Sequence, residues 1–181
     1  MKLNNEIMEN WNLAEIVNRL KTEDERYAAL SKRVQRIYWI LIPIFLLSFI
    51  KYFVDKKPIA YIISSLCFLF AMLIFALFFM HYYKKYKYVD YSLPTLVMLK
   101  EAAYRYKPFQ LRSLWIVLAV LLMDAGLSLN TSLAFEFIPV QVCFLGAFVL
   151  AMIIGFLIWR VRYKRLRDAA LYLIHEINGE I

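Results

Sequence analysis

Hydrophobic residues follow two patterns along this chain, and the alternation between them lays out the fold. In four stretches they run almost without interruption: 37–54 (IYWILIPIFLLSFIKYFV), 59–80, 113–133 and 139–160. Each is about 20 residues long, which is what a helix needs to cross a hydrocarbon core about 30 Å thick. In three other segments, 1–36, 92–107 and 161–178, apolar residues recur every three or four positions between charged ones, as in helices with one apolar face. The pattern predicts an all-α, polytopic membrane protein in a single domain, with four transmembrane helices and a cytoplasmic layer of amphipathic helices.

The hairpin from Leu111 to Arg160 organises the rest. LWIVLAVLLMDAGLSLNTSL and VQVCFLGAFVLAMIIGFLIW flank a short FEFIP turn, with Arg112 and Arg160 on the same side. The first span is the shortest, with Tyr38 and Trp39 at one interface and Tyr52 at the other, and Pro43 is expected to kink it. The Lys51–Pro58 loop is brief enough to force an antiparallel return into the second span. There Ala60, Ser64, Cys67 and Ala71 line up small residues, so that a neighbouring helix can approach closely. In the fourth span Ala147, Ala151 and Gly155 fall four apart, a helix-packing stripe read as internal packing in preference to a dimer face.

The segments outside the spans carry their own signals. Leu13, Ile16, Val17 and Leu20 share a helical face, with Trp11 beside it; six acidic residues among the first 25 deny it the basic face of a membrane-surface helix, so it is expected to pack on protein. Thr22-Glu23-Asp24-Glu25 reads as a capping box, which predicts a second helix beginning at Thr22 and running through Tyr27, Leu30 and Val34 into the first span. Residues 81–112 hold seven Lys and Arg against two acids, with tyrosines at 82, 83, 86, 88, 91, 104 and 106. Ser92 and Pro94 suit a helix start there, Leu96, Leu99, Ala103 and Tyr106 form its stripe, and Pro108 ends it. Basic residues interleaved with aromatic ones also mark single-strand nucleic-acid binders. Beside a membrane the simpler account is tyrosine rings at the headgroups and lysines against anionic lipid, and no nucleic-acid partner is expected. Past the fourth span, Arg160, Arg162, Lys164, Arg165 and Arg167 snorkel, while Leu166, Ala170, Leu173 and Ile177 make a further stripe ended by Gly179. The three segments are expected to bury these stripes against one another, with Leu166, Leu173 and Ile177 as candidates for holding a partner.

Composition agrees with the membrane reading: 62% hydrophobic and 17% aromatic residues, with a mean hydropathy of +0.56, are too apolar for a soluble domain of 181 residues. The net charge of +8 matters through its placement. Segments 1–37, 81–113 and 160–181 hold 7, 7 and 5 of the 22 Lys and Arg, and the remaining three lie in the loop at 51–57. The positive-inside rule therefore puts both termini and the central segment in the cytoplasm, against the dissent of three lysines. Residues 1–36 show no cleavable apolar core, so no secretory signal peptide is expected. Cys67 and Cys143 lie inside spans and read as small core residues, with neither a metal nor a disulfide implied.

One ionisable group lies deep in a span. Asp124 is twelve residues on from Arg112, about 18 Å along a helix and near the centre of the bilayer. Burying a carboxylate there costs about 2.5–3.5 kcal/mol, so it should face the bundle or a wet cavity. Ser128 and Thr131 share its face. Together they form either an ion- or proton-binding path or, as the plainer account, a protonated aspartate bonded to a backbone carbonyl or to Ser64 or Ser65.

No catalytic constellation is visible: there is no phosphate loop, no nucleophile elbow, and His81 and His175 stand alone, so no metal or other cofactor is expected. The stretch VDYSLPTLVMLKEAAYRYKPFQ, Val89 to Gln110, resembles one found in small uncharacterised membrane proteins of Bacteroidetes bacteria, some encoded beside extracytoplasmic-function sigma factors. The resemblance implies an inner-membrane location and a regulatory role in which cytoplasmic helices hold a partner. The preferred reading is thus a membrane-anchored interaction or regulatory protein, partnered by the lipid bilayer and by a cytoplasmic protein or a second copy of itself. The alternatives are a small transporter or channel using Asp124 and, last, a membrane enzyme.

Overall fold

The structure is a computed structural model that describes residues 13–107, 113–130 and 137–179. The expectations placed on Trp11, Pro108, Arg112 and Thr131 lie outside the described residues. Among those described, every regular element is helical: α1 (Leu13–Val54), α2 (Ile59–Lys87), α3 (Thr95–Arg105), α4 (Leu114–Leu129), α5 (Phe137–Ile158), one wide π turn (Trp159–Tyr163) and α6 (Lys164–Ile177). The all-α expectation holds. Three helices, α1, α2 and the continuous run of α5 through α6, are long and apolar enough to cross a membrane; α4 is apolar but shorter, at 16 residues.

The break expected at Thr22 does not occur. α1 runs unbroken for 42 residues, about 63 Å, and the Thr22 hydroxyl donates back to the Asn18 carbonyl at 2.9 Å instead of capping a new helix. A capping box acts only where the preceding backbone is not helical, and here the Ile16–Leu20 face keeps it helical by burying itself. Pro43 is also accommodated inside this helix. Only the polar half of α1 has a buried line: Ile16, Leu20, Asp24, Ala28 and Ser31 at spacings of four, four, four and three. Beyond Ile37 one face of the helix, with Tyr38, Leu41, Phe45 and Phe49, is half-buried, and the remaining apolar residues, Ile40, Ile44 and Leu47 among them, are exposed.

α2 pairs with α1 on one side and α4 on the other. Tyr38 stacks on Phe75 with ring centroids 5.0 Å apart, and Phe45 on Phe68 at 5.5 Å. Small residues bring α2 and α4 together: Ser64 and Ala71 are buried, and the Ser64 hydroxyl donates to the Gly126 carbonyl at 2.6 Å. A Cβ at Gly126 would lie 3.1 Å from the Phe68 ring and 3.2 Å from the Ser64 carbonyl oxygen, so glycine sets the spacing of this pair.

α5 stands apart. None of its described side chains is buried, Ala147, Ala151 and Gly155 are all exposed, and a Cβ at Gly155 would meet nothing within 4 Å. The small-residue stripe is therefore not the internal packing face expected of it. Cys143, one turn before Ala147 on the same line, is exposed, and Cys67 is half-buried, so neither is a fully enclosed core residue.

At one end of the apolar helices the amphipathic segments form an end layer: the first half of α1, the last turns of α2, α3, and α6. Ile16, Leu20 and Ala28 pack with Tyr82, Tyr86, Ala102, Tyr106, Leu166 and Ala169. Met98, Leu99, Ala170 and Ile174 make a second cluster beside it. α3 starts at Thr95, not Ser92, because both the backbone amide and the hydroxyl of Ser92 bond Asp90 Oδ1 in a turn of their own, at 2.8 and 2.6 Å.

Candidate functional site

The densest polar chemistry in the described structure is inside this end layer, around Asp24. The helical register that buries Leu20 and Ala28 carries Asp24 inward between them, leaving it 1% exposed. Its carboxylate is met by donors from two further segments. Tyr106 Oη donates to Oδ1 at 2.6 Å, while Tyr91 Oη at 2.6 Å and Arg105 Nη2 at 3.1 Å donate to Oδ2. Arg105 is itself 6% exposed, and its backbone carbonyl accepts from Tyr86 Oη at 3.2 Å.

Two further bonds tie the π turn into the layer. Trp159 Nε1 donates to the Tyr106 carbonyl at 2.9 Å, and Arg162 pairs with Glu23 Oε1 at 3.0 Å. Residues 24, 91, 105 and 106 are thus held as one unit. It is wrapped in tyrosine rings: Tyr27 lies 4.4 Å from Tyr86 and 5.8 Å from Tyr163, and Tyr163 stacks on Tyr106 at 5.5 Å.

The electrostatics show what this unit can do. Burial, reinforced by the Asp24 charge and hydrogen bond, pushes the Tyr106 hydroxyl far above the usual phenol range; burial and the Asp24 bond do the same to Tyr91. Burial first, then the neighbouring tyrosines, raises Tyr27 to about 12. The phenols therefore stay protonated as donors, and three of the roughly four lone-pair directions of the carboxylate are taken by fixed donors. The arrangement holds segments of the layer together. No family model, no curated protein and no solved structure matches this chain.

The residues singled out from the sequence are dispersed. Asp124 is partly buried, and its Oδ1 is enclosed without a hydrogen-bond partner. Neither Ser64 nor Ser65 reaches it: Ser64 bonds Gly126, and Ser65 bonds the Ile62 carbonyl at 2.8 Å. Ser128 donates to the backbone carbonyl of Asp124 at 2.9 Å and accepts from Gln141 Nε2 at 2.7 Å, which links α4 to α5. Gln141 was missed, although it is the one amide in an otherwise apolar span and so carried a signal. Leu166 is buried in the layer and Leu173 partly so, which commits both to internal packing; of the partner-binding candidates only Ile177 is exposed. The tyrosines expected at lipid headgroups divide: Tyr82, Tyr86 and Tyr106 are core residues, whereas Tyr88 and Tyr104 are exposed. Among the described residues no three His, Cys, Asp or Glu side chains gather as metal ligands.

A cavity of about 640 Å³ lies where the layer meets the apolar helices, between α2 and α4 on one side and α5 on the other. It is lined by Tyr106 and Tyr163 from the layer, by Phe78, Ile116 and Phe156 from the apolar helices, and by Lys107 and Ser113. It exists because α5 stands off from the pair.

Proposed function

We propose that this chain is a four-span inner-membrane protein, with both termini and the α2–α4 connection in the cytoplasm, that works by interaction rather than catalysis. In this reading α4 is the remaining span. Its 16 residues reach about 24 Å, and a short span is met by local thinning of the bilayer at small cost. The distribution of Lys and Arg supports the orientation. The end layer is then a rigid cytoplasmic platform, clamped by Asp24 and Arg105, and a second copy of the chain docks along α5.

The observation that carries this reading is the bare face of α5. α2 packs along its length on α1 and on α4, while the 22-residue apolar α5 touches its neighbours only slightly and buries none of its described side chains. Cys143, Ala147, Ala151 and Gly155 lie exposed in one line at every fourth residue, the spacing that lets two helix backbones approach in a membrane. A two-fold contact of α5 on α5 satisfies this face with no further component.

Cysteine cross-linking in native membranes tests it. Native Cys143 in a Cys67→Ser background, and Ala147→Cys and Ala151→Cys in a background with both native cysteines replaced by serine, are expected to form disulfide dimers on oxidation, while Val149→Cys in the latter background, on the opposite face of the helix, forms few. A uniform profile, or none, together with a single-chain mass in detergent, removes the self-association reading.

A further inference from the structure

The cavity beneath the layer has a chemistry of its own. Its lower walls are hydrocarbon, from Phe78 and Ile116 on one side and Met152, Ile153 and Phe156 on the other. Its upper end is aromatic and polar. The two cations there are not equivalent: Arg105 is buried and faces Asp24, whereas Lys107 is exposed and pairs with no carboxylate among the described residues. No described acidic side chain lines the cavity. The site therefore offers a greasy slot lined by one cation that has no carboxylate partner among the described residues, at the level where the apolar helices give way to the polar layer.

We propose that this cleft binds a single anionic phospholipid, its headgroup phosphate at Lys107 and Ser113 and the first part of one acyl chain between Phe78, Ile116 and Phe156. This inference rests on the membrane insertion and orientation proposed above. Three observations favour a lipid over other occupants. The volume is that of a site for one small amphiphile. Apolar side chains from the helices, with aromatic rings and a cation from the layer end, are the groups that an acyl chain, a glycerol and a phosphate meet in a leaflet. The cleft also opens beside α5, whose exposed side chains would already be in contact with lipid, so the rest of the molecule can stay in the bilayer. Most of the cavity-lining side chains of α5, Met152, Ile153 and Phe156 among them, lie away from the Cys143–Ala151 line, so a second copy on that line leaves the cleft free.

The test is lipid titration of the delipidated full chain in mild detergent, read by native mass spectrometry with phosphatidylglycerol and phosphatidylcholine. The expected result is one phosphatidylglycerol per chain, held about fivefold more tightly than phosphatidylcholine, the preference one basic residue confers. Lys107→Gln should erase that preference, and the double substitution Met152→Phe with Ile153→Phe, which fills the slot from exposed positions, should weaken both lipids. Glycerol 3-phosphate, which has the charge without the chain, should displace neither. Equal binding of both lipids, indifference to the filled slot, or displacement by glycerol phosphate overturns the proposal. So does loss of the α5 cross-links in the slot-filling variant, which would put a second copy in the cleft. Flotation of the reconstituted chain with vesicles separates the failures: a chain that floats without lipid preference refutes this inference alone, and one that does not float refutes the membrane reading.

Discussion

Replacing Asp24 by asparagine keeps the shape of the side chain and removes its charge, and so isolates what the charge holds. In the wild type, Oδ1 accepts from Tyr106, and Oδ2 accepts from both Tyr91 and Arg105. An asparagine can keep one oxygen facing Tyr106, but its amide then presents two N–H donors to the donors of Tyr91 and Arg105. The guanidinium of Arg105, 6% exposed, has then lost its close buried carboxylate and keeps Glu101, whose half-exposed carboxylate lies 3.8 Å from Nη1. Breaking one side of such a buried pair costs about 3–5 kcal/mol, several times the value of a surface pair. The expected outcome is a large drop in the thermal midpoint of the detergent-solubilised protein, with loss of Trp159 fluorescence order as the π turn detaches from Tyr106. Removing the whole unit should cost less than removing half. Asp24→Leu with Arg105→Met, Tyr91→Phe and Tyr106→Phe is expected to recover all but about 1–2 kcal/mol, because no buried charge or orphaned hydroxyl remains. An Asp24→Asn protein within about 1 kcal/mol of wild type would refute the clamp, because Arg105 would then have another way to be neutralised.

Other changes probe the rest of the fold. Gly126→Ala places a methyl 3.2 Å from the Ser64 carbonyl, which as backbone cannot yield as the Phe68 ring can; a loss of about 1–3 kcal/mol is expected in thermal unfolding, and larger side chains should abolish the α2–α4 contact. Raising the pH should destabilise the layer from about pH 10 upward. There the unfolded chain releases its phenol protons, while Tyr27, held to about 12, and the still higher Tyr86, Tyr91 and Tyr106 keep theirs. Stability is fully present below that range, and phenolate absorbance should rise late and together with loss of helix. Asp124→Asn should leave the thermal midpoint unchanged or raised, since a buried acceptor without a donor is replaced by a neutral amide; a marked drop would show that the carboxylate is structurally engaged.

What the sequence made legible depended on whether a signal was local. The apolar runs that became the second half of α1, α2, α4 and α5 are properties of consecutive residues, and their length is visible without a partner. So is the layer's stripe of Leu166, Ala170 and Leu173. Asp24 shows why local signals mislead: Thr22 and Glu25 around it spell a helix start, yet its spacing from Ile16, Leu20 and Ala28 places it on the buried face of a helix already under way. The spacing was the better evidence, because burying a whole face outweighs one capping bond. The pairing of Asp24 with Arg105 spans 81 positions and has no local trace; an aspartate on an apolar stripe says only that a donor must come from somewhere. Tyrosine was ambiguous for a related reason. Its ring suits a headgroup belt and a core equally, and only the packing of α3 and α6 over Tyr86 and Tyr106 decides between them.

The unbroken α1 gives the clamp a reach beyond the layer. Asp24 is fixed to α3 and the 91–106 segment, and fourteen residues further along the same helix Tyr38 is stacked on Phe75 of α2. A break at Thr22 would have left the layer hanging on a joint. Ahead of Pro43, which withholds one backbone hydrogen bond, the helix is unbroken, so the layer and the Tyr38 contact move as one rod because bending it there costs backbone hydrogen bonds. Whatever tilts α3 relative to α1 must either break the buried pair or carry the rod with it. The stiff side of the molecule is therefore α1, α2 and α4, and the compliant side is α5, which joins the layer through the wide π turn and buries none of its described side chains. A change in what occupies the cleft or covers α5 would be felt first at Trp159 and Arg162, the two residues that bond that turn to Tyr106 and Glu23.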